Sequence, residues 1–80
     1  MKKEDILEKL KEIIASIMKT DVSGVSRESR LKEDLRADSL DKINMLMALE
    51  EAYDIEMDEE EALTFKTVGD VVDYLVKELS

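Results

Sequence analysis

Ser39 stands between two carboxylates in the run Ala37-Asp38-Ser39-Leu40-Asp41. A serine hydroxyl attacks nothing at neutral pH unless a neighbouring base takes its proton. The usual base is histidine, and the chain has neither His nor Cys. Ser-His-Asp and Cys-His catalysis are therefore excluded within one chain, as are disulfides and thiolate metal sites. Asp38 and Asp41 are a carboxylate pair of the kind that can do acid–base work. Both fall in the first turn of an expected helix, where the positive end of the dipole keeps carboxylates ionised. An enzyme is thus not expected. Ser39 is better suited to being modified. A hydroxyl at a helix N-terminus is exposed to a modifying enzyme, and free amide hydrogens there favour a phosphate. From Asp-Ser-Leu alone, the competing reading is a plain first-turn serine.

A second acidic run, Asp54 to Glu61, raises the question of calcium. An EF-hand loop needs glycine at its sixth position, which here is Glu59, so that motif is rejected and no metal site is assigned. Weak divalent binding to the acidic surface would still relieve self-repulsion. The formal charge of the chain is −9, and it is unevenly placed. Residues 1–37 hold eight acids and nine bases, whereas residues 38–62 hold ten acids and only Lys42 as a base. That field repels nucleic-acid backbones and attracts a partner with a basic patch, with salt-sensitive encounter. A solvated acidic face that merely aids solubility is the bland alternative.

These groups need elements to hold them. With 80 residues, one domain over residues 1–80 is expected, and a chain this short buries only about 60–65% of its unfolded surface. No stretch is long and apolar enough to span a membrane. The chain begins with an amphipathic stretch, not a continuous apolar run, so no signal peptide is read and a cytoplasmic location is expected. Apolar spacing predicts a first helix from about Glu4 to Met18, with Ile6, Leu10, Ile13 and Ile17 on one stripe and Leu7, Ile14 and Met18 widening it. A long connection follows, from about Thr20 to Ala37. Its Asp, Ser and Gly residues favour turns, and Val22, Val25, Leu31 and Leu35 are expected to peg it to the core. Connections this long are often functional.

The second helix is expected from Ser39 to Ala52, capped by Asp38. Leu40, Ile43, Leu46, Met47 and Tyr53 are read as its core face. Met45 and Leu49 make it apolar over more than one stripe, so some of these side chains must meet a second surface, a cavity or a partner. A short third helix is expected over Asp58 to Leu63, and a last one over Val68 to Leu79, opened by a capping-box-like pair, Thr67 and Asp70. Gly69 in its first turn costs roughly 1 kcal/mol against Ala, tolerable where packing needs a small residue. The expected fold is all-α: an antiparallel four-helix bundle, three major helices plus a short third, with a long loop between helices one and two.

The run around Ser39 resembles the attachment motif of acyl carrier proteins, commonly Gly-Ala-Asp-Ser-Leu-Asp. Four further segments follow in register: Met47-Ala48-Leu49-Glu50-Glu51, Tyr53-Asp54-Ile55-Glu56, Thr67-Val68-Gly69-Asp70 and Val72-Asp73-Tyr74. The resemblance runs from about Leu35 to Leu75. It implies that the hydroxyl of Ser39 takes 4′-phosphopantetheine from coenzyme A through a phosphodiester. Acyl groups then ride on the arm's thiol as thioesters, and a chain without cysteine obtains its one thiol from a cofactor. It also implies an apolar pocket between helices and a recognition helix, the second, whose Asp38, Leu40, Asp41, Met47, Glu50 and Glu51 bind partners. Those partners are a phosphopantetheinyl transferase (holo-carrier synthase) and the acyl transferases, ketosynthases and other enzymes of fatty-acid synthesis with basic docking patches. Tethering raises the acyl group's effective concentration at each of them. No nucleic acid, no membrane insertion and a monomer complete the expectation.

The chain departs from that pattern at four positions. Arg36 replaces a usual Gly, so the backbone there is expected not to need the conformation that Gly permits. Asn44 removes an acidic contact residue, Lys42 adds a cation nearby, and Asp58 replaces a common Pro. These departures leave room for a specialised carrier serving a polyketide or other acyl pathway. A reading from another class is an unmodified acidic interaction module that binds a basic partner through helix two and does not need Ser39.

Overall fold

The computed structural model describes residues 2–19 and 21–79; Thr20, the expected start of the long connection, lies outside them. Four helices follow in order: α1 (Lys3–Met18), α2 (Ser39–Tyr53), α3 (Glu59–Thr64) and α4 (Val68–Leu79). They form the antiparallel bundle, in which α1 packs on both α2 and α4, and α2 packs on α3. The expected boundaries hold to within a residue; α3 starts one later because Asp58 is its cap, accepting from the amide of Glu60 at 3.0 Å.

The core is built from one stripe of each long helix. Ile6, Leu10, Ile13 and Ile14 come from α1, and Val68, Val71, Val72 and Leu75 from α4. The contribution of α2 differs from the expected one. Met45, Leu46 and Leu49 are its buried residues, while Leu40 and Met47, read as core, are 65% and 57% exposed. The reason is geometric. At 100° per residue, positions 40, 44, 47 and 51 form one stripe and 45, 46 and 49 lie opposite, and a helix this apolar does not reveal which side α1 covers. Phe65 closes the junction of α3 and α4, its ring edge-on to Tyr74 at 5.5 Å between centroids.

The connection from α1 to α2 is long but tied down. Val25, Leu31 and Ala37 are buried, and Val22 and Leu35 pack against the core as pegs. The amide of Leu31 donates to Lys66 O at 2.8 Å, and Val68 N donates to Ser29 O at 2.9 Å. With them, Arg30 and Thr67 form an isolated antiparallel bridge, a local pairing that no alternation in the sequence announces. Gly69 N donates to Arg27 O at 2.8 Å, and a Cβ at Gly69 would stand only 3.0 Å from that same oxygen. The small residue is therefore needed for the loop to cross the start of α4. Thr67 and Asp70 cap that start reciprocally, Asp70 N donating to Thr67 Oγ1 and Thr67 N to Asp70 Oδ2, each at 3.1 Å.

Arg36 overturns one expectation. Its φ is 58°, so the chain keeps the left-handed turn before the cap although glycine is absent. A side chain there costs roughly 1–2 kcal/mol, and the buried neighbour Ala37 fixes the path that demands it.

Candidate functional site at the start of the second helix

Three constraints place Ser39. Ala37 is buried, and its amide donates to Leu31 O at 2.8 Å, so the approach to α2 is held by the loop. Asp38 is the N-cap, accepting from Asp41 N at 2.8 Å, and the Asp41 carboxylate returns the bond from Asp38 N at 3.3 Å. The first intrahelical bond, Lys42 N to Asp38 O at 3.1 Å, fixes the axis. Ser39 is thereby the first helical residue, and it is exposed. The amides of Ser39 and Leu40 lie before the first intrahelical donor, Lys42 N, in the position where helix ends favour a phosphate oxygen.

The capping box gives Asp41 a role beyond its favourable place on the dipole. With aspartate as the third residue in place of the longer glutamate, the returning bond is the longer of the two. The two acids flanking the serine thus hold its geometry while the carboxylate of Asp38 stays at the surface.

From Ser39 an exposed stripe runs down α2: Leu40, Asn44, Met47 and Glu51, spaced four, three and four residues apart. Two of the large apolar side chains most open to water stand on it between acids, an arrangement suited to a partner with basic groups around a hydrophobic contact. Glu50 is not an equal member of that face. It is half-buried, and its Oε2 accepts from the amide of Met57 at 2.8 Å, closing the turn between α2 and α3. Of the six residues expected to bind partners, Asp38, Leu40, Met47 and Glu51 are exposed, while Asp41 and Glu50 are half-buried and bonded to backbone.

Lys42 also does something its sequence position does not disclose. Its ammonium crosses to the α3–α4 junction and donates to Phe65 O at 3.1 Å. The two crossings share a cause: a long side chain on α2 finds a backbone group left unsatisfied where another helix begins or ends. The only sequence signal is a charged residue that lies off the exposed stripe. Beside Lys42 lies an open cavity of about 750 Å³, lined by Leu63 and Phe65 and by Arg30, Lys32 and Glu33 of the loop. Among the described residues, no three His, Cys, Asp or Glu side chains come together to hold a metal ion. No described helix is long and apolar enough to cross a membrane.

Comparison with known proteins gives this site its context. Residues 8–75 match the family model described as phosphopantetheine attachment site. An acyl carrier protein of Rubrobacter xylanophilus is 46% identical over 96% of this chain and 95% of its own. One of Clostridium acetobutylicum is 49% identical over 88% of this chain and 91% of its own. Among solved structures, an acyl carrier protein of Thermotoga maritima superposes with a TM-score of 0.88 at 30% identity, covering 99% of this chain and 92% of that one.

Proposed function

Because the chain belongs to the family of acyl carrier proteins, we propose that Ser39 is its phosphopantetheine attachment residue and that it delivers acyl intermediates to the enzymes of fatty-acid synthesis. Members of this family are carriers rather than catalysts, and phosphopantetheine is their prosthetic group. The observation that carries the assignment to Ser39 is local: an exposed serine at the first position of a helix, inside an aspartate capping box. When bound, the arm supplies a thiol on which acyl groups travel as thioesters.

In the proposed loading step, the Ser39 oxygen bonds to the phosphorus that carries the pantetheine half of coenzyme A. The pyrophosphate bond breaks, the nucleotide half leaves, and a base on the transferase takes the hydroxyl proton. What this chain contributes is position. The capping box holds the serine on a rigid turn, and the buried Ala37 keeps the preceding backbone out of the way. Asp38 and Glu51, with Leu40 and Met47 between them, present the docking stripe, on which a basic enzyme surface is steered by charge and held by apolar contact. Asp41 and Glu50 support that stripe by fixing the two ends of α2. The reading includes one domain over residues 1–80, a monomer, and a cytoplasmic setting.

Reconstitution tests the pathway. The holo chain, with a bacterial malonyl transferase, a ketosynthase and an acyl primer, is expected to be charged and elongated. If a reference carrier is elongated in the same mixture and this chain is charged but not elongated, a dedicated acyl pathway takes the place of fatty-acid synthesis. If a phosphopantetheinyl transferase attaches no arm to the folded chain, the unmodified interaction module becomes the better account.

A further inference from the structure

The lining of the cavity beside Lys42 is net positive. Four cations, Arg30, Lys32, Lys42 and Lys66, border it against one acid, Glu33, in a chain whose formal charge is −9. The cations are not equally committed. Arg30 is tied to Asp34 at 3.3 Å and lies 3.9 Å from Glu33. Lys42 is bonded to a neutral carbonyl and makes no ion pair among the described residues. Lys32 makes no ion pair among the described residues and is exposed, as is Lys66, which stands in the field of Asp70. Between them lie Leu63, 47% exposed, and the edge of buried Phe65. An apolar floor under a basic rim suits a ligand with a hydrocarbon body and an anionic end.

The position of the cavity selects the ligand. Lys42 is three residues after Ser39 on α2, so the cavity opens one helical turn from the attachment hydroxyl and on its side of the helix. A group tethered at Ser39 is present there at high effective concentration, which no free solute matches. We infer that this cavity favours acyl groups ending in a carboxylate, with the hydrocarbon on Leu63 and Phe65 and the terminal carboxylate among Lys32, Lys42 and Lys66. The inference rests on the carrier reading and adds the class of acyl group to it.

The test loads the chain from two acyl-coenzyme A donors matched in length, hexanoyl and adipoyl, and confirms each product by intact mass. Thermal unfolding and the amide chemical shifts of residues 63–67 are then compared with those of the holo form. The adipoyl form is expected to melt roughly 2–5 °C above the hexanoyl form, the size of shift a favourable ion pair gives a domain of this size, and to move the 63–67 amides more. Lys66→Gln and Lys32→Gln, both at exposed positions, should each reduce the difference, and raised salt should erode it. Lys42→Gln should reduce it further; because it also removes a backbone bond, it is read against its own holo form. Equal melting of the two loaded forms, or a difference that survives the lysine changes, overturns the inference while leaving the carrier reading intact. Failure to load either group on Ser39 removes both.

Discussion

At Arg36 the backbone adopts a left-handed turn with a side chain that disfavours it. Arg36→Gly is therefore expected to raise stability by about 0.5–1 kcal/mol, the left-handed cost partly offset by the extra freedom glycine gives the unfolded chain. Chemical denaturation checks this, and an unchanged or lower midpoint would mean that the guanidinium has a stabilising contact. Two adjacent glutamates separate in the same way. Glu50→Gln keeps an acceptor for Met57 N but loses the charge, and should cost about 1 kcal/mol with little effect on partners. Glu51→Lys should leave the melting temperature within a degree or two while slowing transferase loading several-fold at low salt, an effect that shrinks as salt rises. If both variants behave alike in both assays, the division of α2 into a docking face and an anchoring face is wrong.

At the level of elements, the first and last helices were legible because their apolar residues fall on one stripe. Ile6, Leu10 and Ile13 in α1, and Val68, Val71, Val72 and Leu75 in α4, are buried where the spacing puts them. The second helix was legible in extent and cap but not in facing. Its apolar residues surround the axis, so Leu40 and Met47 could be placed in the core from spacing and on the surface from resemblance, and only packing against α1 and α3 decides. The attachment site was legible because it depends on neighbours in sequence: cap, serine and third residue lie within one turn. Glu50 to Met57, Lys42 to Phe65, and the cavity were not, because each joins residues whose proximity depends on how separate elements pack. Gly69 was suspected of serving packing, and the loop supplies the reason. Gly69→Ala adds helix propensity worth about 1 kcal/mol but drives a Cβ against Arg27 O, so a net loss of about 1 kcal/mol is expected. A stabilised variant would show that the loop yields freely, and that its bond to Gly69 N does not hold it over α4.

Across the whole molecule, acid and charge oppose one another. The Asp70 carboxyl is held below its ordinary value of 3.8, first by the backbone bond from Lys66 and with help from Thr67. Backbone bonds do the same for Asp34, from Arg30, and for Asp21, from Ser23. A carboxyl whose value is lowered by folding stabilises the fold above its unfolded value, and that contribution is lost as pH falls through the lower folded value. Stability should therefore decline as pH falls below about 3.8. Asp70→Asn should cost about 1 kcal/mol at neutral pH as a weakened cap, and should flatten the acid limb of the curve. The central claim is chemical, that one hydroxyl on a capped helix end receives the arm. Its most direct test is intact mass before and after incubation with coenzyme A, Mg²⁺ and a broad-specificity phosphopantetheinyl transferase, followed by peptide mapping, with Ser39→Ala as the control. The account predicts a gain of one phosphopantetheine, mapped to the peptide containing Ser39, and no gain in a control that remains folded. A gain in the Ser39→Ala chain, or an arm mapped to another serine, would contradict it.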